Sequence, residues 1–183
     1  MASFKCLACM TIISLLVSYS FNGCIADPAL IDSICRPSVD YAFCISFVGN
    51  DPRAPTANLH GLALISISVT AISIQDTQDK IYKLLHQVKD PVTLSRLRRC
   101  QSDYNEALSN FQSSFTATSR NSFFEAIDLV RTGTNKVIGC HNRFRRGPGP
   151  GPIATSPIDV NDSNIFKLSG IIKIAVDKLI PKK

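Results

Sequence analysis

The sequence predicts an all-α protein: a four-helix bundle preceded by a short N-terminal helical hairpin, with two disulfides. Three observations predict it. Apolar side chains recur every three or four residues through four long segments, the period of one helix face. Stretches rich in Gly, Pro and Asp fall between segments, where they break helix and sheet alike. Four cysteines lie beyond residue 26, and two of them sit at matching distances from one predicted bend.

The chain opens with Lys5 and an apolar run, Cys6 to Ala8 and Met10 to Val17, too short for a membrane span of the mature protein. Residues 1–26 read as a secretory signal peptide, with Cys24 and Ala26 as the small residues before the cut and residues 27–183 as the mature domain. The remaining ~157 residues make one ordinary domain that buries a core without a cofactor. No membrane association is expected after cleavage. The cut removes Cys6, Cys9 and Cys24 and leaves Cys35, Cys44, Cys100 and Cys140, an even set that implies two disulfides in a secreted chain. The formal net charge of +6 falls to about +5. A basic secreted domain is drawn weakly to acidic polymers such as demethylated pectin, an attraction screened within about 8 Å at physiological salt.

Taken in order, Ile31 to Gly49 reads as two short helical turns folded into a hairpin, and Asp51 to Pro55 as a linker. Over Thr56 to Lys89 two periods compete. Ile65, Ile67 and Val69 alternate with Ser66 and Ser68 as in a strand, but the alternation fails at Ala71-Ile72. Leu62, Ile65, Val69 and Ile72 form a helical stripe that Tyr82, Leu85 and Val88 resume, so this segment is assigned as helix with Thr56 as its cap. From Pro91, Leu97, Cys100, Tyr104, Leu108, Phe111 and Phe115 line one helix face, and Pro91 suits the first helical position. Ile127, Val130, Thr134 and Val137 carry a third helix over Asn121 to Arg143, although Gly133 and Gly139 each cost about 1 kcal/mol relative to Ala. Gly147 to Pro152 breaks the chain. Ile165, Leu168, Ile172, Ala175 and Leu179 then mark the last helix, which Pro181 stops.

Four cysteines permit three connectivities, and the helix assignment offers a geometric test. If the second and third long helices turn back near Ser119 and Arg120, Cys100 and Cys140 each lie about 20 residues, roughly 30 Å, from the bend and face each other. Cys35 is left with Cys44.

No catalytic or metal chemistry is legible. His60, His86 and His141 show no metal-ligand spacing, and no nucleophile elbow or phosphate-binding loop occurs. No cofactor and no nucleic-acid partner is expected. Asp76 and Asp79, beside Gln75, Gln78 and Lys80, read as a solvated face. Arg143, Arg145 and Arg146 complement the C-terminal dipole of the third helix. Arg96, Arg98 and Arg99 lie near a helix start, where the dipole gives them nothing, so salt bridges to another helix are their expected role. Asn161-Asp162-Ser163 is an N-glycosylation sequon expected in a loop, with Ser163 also a candidate cap.

Ile31, Cys35 and Cys44, the Asp51-Pro52 linker and the run Ala57-Asn58-Leu59-His60-Gly61-Leu62-Ala63 carry a resemblance. Leu97-x-x-Cys100-x-x-x-Tyr104-x-x-Ala107-Leu108, with a further cysteine about forty residues on, adds to it. Together they resemble the plant invertase and pectin methylesterase inhibitors over nearly the whole mature chain. The overall texture is most similar to the invertase-inhibitor branch that includes plane-tree pollen allergens. The resemblance implies an up-down-up-down bundle, disulfides Cys35–Cys44 and Cys100–Cys140, and no enzymatic activity.

It also implies one-to-one binding over the active-site cleft of a plant acid invertase. The alternatives are a pectin methylesterase in the cell wall, or a non-inhibitory, allergen-like or pectin-binding bundle. The destination implied is the apoplast or the vacuole. Invertase inhibitors of this family insert a Pro-Lys-Phe motif between the second and third bundle helices. Here the comparable stretch is Asn121-Ser122-Phe123-Phe124, which keeps an aromatic without the Pro and Lys and is the expected target-binding segment.

Overall fold

The computed structural model describes residues 28–145 and 153–181. The expected signal peptide, the Gly147–Pro152 break and Arg146 lie outside the described residues. Helix α1 spans Pro28–Cys35 and α2 spans Tyr41–Cys44, continued by a π-helical turn, Ile45–Gly49. A 3-10 turn, Ala54–Thr56, leads into α3 (Leu59–Gln87), α4 (Pro91–Ser119), α5 (Phe123–Arg145) and α6 (Asp159–Asp177). The last four form a closed ring: α3 packs on α4 and α6, and α5 on the same two. Neighbours run antiparallel, giving the up-down-up-down bundle. The α1–α2 hairpin lies against α6 and α3, held by the Lys167 ammonium on Asp40 at 2.8 Å and over the Phe43 ring at 4.9 Å. Disulfides join Cys35 to Cys44 and Cys100 to Cys140.

Caps explain where the helices begin. Asn58, not Thr56, starts α3, since its side chain accepts the Gly61 N–H at 2.8 Å while Thr56 closes the preceding turn on the Arg53 carbonyl. Asp90 caps α4 through the Thr93 N–H at 2.7 Å, directly ahead of Pro91. Helix α6 begins at Asp159, so Asn161 lies in its first turn rather than in a loop, and Ser163 is inside the helix rather than its cap.

The stripe on α3 is rotated from the one expected. Ile72 is 57% exposed, whereas Ile67, Ile74 and Ile81 are fully buried together with Ser66, Thr70 and Thr77. Those hydroxyls donate to carbonyls four residues back: Ser66 to Leu62, Thr70 to Ser66 and Thr77 to Ser73, at 2.7–2.8 Å. A polar group satisfied within its own helix buries at little penalty. Ile65 and Ile67 are both buried because α3 faces α4 on one side and α6 on the other. On α4, Phe115 is 38% exposed and Ala107, Ser114 and Thr118 take the inward positions. Gly133 of α5 is a contact glycine: a Cβ there would stand 2.8 Å from the Phe111 ring. By length and composition α3 is apolar enough to cross a membrane.

Candidate functional site

The expected binding segment forms the tight turn between α4 and α5. Asn121 adopts a left-handed backbone (φ 61°), which asparagine tolerates better than most residues. The Ser122 N–H reaches back to the Ala117 carbonyl and the Asn121 N–H to that of Thr118, both at 2.9 Å. This pair of bonds is a Schellman motif with Asn at its left-handed position, and it stops α4 after Ser119. Helix α5 starts at once, with Glu125 in its first turn, where a negative charge complements the exposed N–H groups. Asn121 therefore belongs to the turn and not to the third long helix.

The two aromatic rings part company at this turn. Phe123 is half-buried against the core, edge-on to the His60 ring at 6.2 Å, and His60 Nε2 lies 2.9 Å from the Thr118 carbonyl. Phe124 is 72% exposed. The start of α3 thus braces the turn from below. Directly beneath it the Thr118 hydroxyl is buried with no hydrogen-bond partner, the one such side-chain atom among the described residues. The arrangement presents an exposed apolar ring on a backbone fixed by hydrogen bonds. Among the described residues no group of three or more His, Cys, Asp or Glu side chains is placed to hold a metal ion.

Other sequence-derived candidates lie elsewhere. Asn161 is at the opposite end of the bundle, its Oδ1 accepting from Lys80 Nζ at 2.9 Å. Arg143 does more than complement a helix dipole: it forks onto the Asp103 carboxylate of α4 at 2.9 and 3.3 Å. Arg96 stacks over Phe144 at 5.6 Å, but no ion pair joins Arg98 or Arg99 to another helix among the described residues. His86 is exposed and edge-on to Tyr82.

Sequence reasoning missed one polar cluster altogether. The buried Asp162 carboxylate accepts from the Tyr104 hydroxyl at 2.5 Å, and His141 Nδ1 stands 3.3 Å from its other oxygen. Burial pushes the Asp162 carboxyl up to about 6 and raises the Tyr104 hydroxyl well above the usual tyrosine range. Tyr104 was legible as a core residue. Its partner was hidden inside the sequon, where Asp162 reads as a solvent-facing spacer.

The protein is thus an all-helical bundle with two disulfides and one rigid exposed turn. The family model of the plant invertase/pectin methylesterase inhibitors matches residues 29–173, and the chain belongs to that family. It is 35% identical to pectinesterase inhibitor 5 of Arabidopsis thaliana, over 82% of this chain and 83% of that protein. It is 27% identical to the cell wall / vacuolar inhibitor of fructosidase 2 of the same plant, with the same coverage. A Platanus acerifolia relative with an invertase-inhibitor name is 26% identical over 79% of this chain and 78% of its own. The crystal structure of a mutant Arabidopsis pectin methylesterase inhibitor superposes with a TM-score of 0.68 at 20% identity, covering 84% of this chain and 98% of that one. This last likeness concerns the fold alone.

Proposed function

We propose that the protein is a secreted, non-enzymatic inhibitor that docks on the active-site cleft of a plant cell-wall pectin methylesterase, with Asn121, Ser122, Phe123 and Phe124 at the interface. The observation that carries the choice of target is the 35% identity to pectinesterase inhibitor 5, set against 26–27% to the invertase-side relatives. The missing Pro-Lys pair before the aromatic at this turn weighs the same way. Acid invertase is the second reading, supported by the fructosidase inhibitor among the relatives. Phe124 supplies the apolar anchor, and the Schellman turn holds it at little ordering penalty on docking.

In this reading residues 1–26 are removed, the mature domain is 27–183, the destination is the apoplast or the vacuole, and Asn161 carries a glycan. The deciding experiment is inhibition of a plant pectin methylesterase and of a cell-wall invertase, side by side in mildly acidic buffer, by the oxidised protein from a secreting host. Inhibition of the esterase alone supports the proposal and inhibition of invertase alone moves it to the second reading. Failure against both, with helicity intact by circular dichroism, overturns inhibition as the function.

A further inference from the structure

At the far end of α3 and α4 from the candidate turn, a cleft of about 560 Å³ is lined by Tyr82, Leu85 and His86 of α3 and Arg98 and Gln101 of α4. Its composition is not that of a packing defect. Tyr82 is 59% exposed, and its ring is set edge-on to His86 with centroids 4.7 Å apart. Arg36, Arg53, Arg120, Arg131, Arg143 and Arg145 each pair with a carboxylate, while Arg98 and Arg99, both exposed, pair with none among the described residues. Lys83 and Lys89 add exposed positive charge at the same end, alongside the exposed carboxylates of Asp79, one turn before Tyr82, and of Asp90, which is engaged in capping α4.

We propose that this cleft binds an acidic polysaccharide built of uronic acid units. Each lining group has a use for that ligand. A guanidinium matches a sugar carboxylate in fork geometry, which an ammonium cannot do. An exposed tyrosine ring offers an apolar face to the C–H face of a pyranose while keeping its hydroxyl wet. The Gln101 amide and the His86 imidazole serve ring hydroxyls as donors and acceptors. A neutral sugar, or a uronate whose carboxyl is methyl-esterified, leaves Arg98 without its anion. The cleft therefore distinguishes de-esterified from esterified polymer, which general attraction by net charge does far less sharply. Arg98 lies 23 residues before Asn121 on the same helical run, roughly 35 Å away at the helix rise, so a bound polymer leaves the candidate inhibitory turn open.

The test uses the full protein from a secreting host, titrated at moderate salt with short oligogalacturonides, their methyl esters and a sulfated glycan of matched length. Arg98→Gln and Tyr82→Ala are each expected to weaken oligogalacturonide binding by about tenfold or more with circular dichroism unchanged. Lys178→Gln, which removes one exposed charge at the other end, is expected to change it less than about twofold. Equal losses in Arg98→Gln and Lys178→Gln with none in Tyr82→Ala overturn the proposal in favour of diffuse charge. Equal affinity for methyl esters, or preference for the sulfated glycan, overturns it as well. If the two cleft variants spare glycan binding and impair esterase inhibition, the cleft belongs to a protein interface. Esterase inhibition is measured alongside, so loss of the inhibitory reading and loss of the glycan site register separately.

Discussion

Phe123 and Phe124 are neighbours of one residue type with opposite environments, and the difference sets what each does. Phe124 touches little of its own chain, so Phe124→Ala is expected to leave the unfolding midpoint within about 0.5 kcal/mol of wild type while weakening target inhibition about thirtyfold, the loss of one anchor. Phe123→Ala is expected to destabilise by about 2 kcal/mol, because the ring packs on the core and on His60. Unchanged inhibition by Phe124→Ala would remove the turn from the interface. The unpartnered Thr118 hydroxyl gives a companion test on stability alone. Thr118→Val keeps the shape and removes the stranded polar atom, so denaturant unfolding is expected to show a gain of up to about 1 kcal/mol. The sequence marked both Phe rings as candidates. It had no means of dividing them, because that division depends on His60, 63 residues away.

At the scale of the helix, period alone located all four long elements, and their interiors were legible to within a rotation. What it missed was which polar residues turn inward. Ser66, Thr70, Thr77 and Ser114 look like solvent-facing positions until their hydroxyls are seen bonded to the preceding turn. The glycines of α5 show the same limit, since Gly133 and Gly139 are alike in sequence and unlike in space. A Cβ at 133 collides with the Phe111 ring at 2.8 Å, whereas at 139 its nearest neighbour from another helix is the Asp103 carboxylate at an ordinary 3.8 Å. Gly133→Ala is expected to destabilise by about 1–3 kcal/mol through overpacking. Gly139→Ala is expected to stabilise by about 0.5–1 kcal/mol through helix propensity and a less flexible unfolded chain. Thermal unfolding of the two single variants reads both signs, and a shared sign would refute the contact role assigned to Gly133.

Across the whole molecule, the Tyr104–Asp162–His141 cluster ties α4, α5 and α6 together beside the Cys100–Cys140 bridge, and it makes stability depend on pH. Facing Asp162 are Tyr104 from α4, His141 from α5 and Asp159 of its own helix, which in turn lies 3.8 Å from Arg145. Burial raises the Asp162 carboxyl from 3.8 to about 6, while the bonds from Tyr104 and His141 oppose the rise. Between those two values the folded chain keeps a proton that the unfolded chain has lost. Stability is therefore greatest on the acid side and declines as pH climbs through about 6, by about 3 kcal/mol at most. The carboxylates held below the ordinary range, Asp32, Asp40, Asp51 and Asp90, act in the other direction but only as pH falls through values under their unfolded 3.8. They leave the interval from about 4 to 6.5 to the buried cluster. The unfolding midpoint is expected to fall by about 5–10 °C between about pH 4.5 and pH 7 for a domain of this size. Asp162→Asn keeps an oxygen for the Tyr104 hydroxyl and cannot ionise, so it is expected to flatten that slope. A slope that survives the substitution would place the titrating group elsewhere. A fold that is firmest in acid fits the apoplastic or vacuolar destination proposed above to the extent that this space is acidic enough for Asp162 to keep its proton.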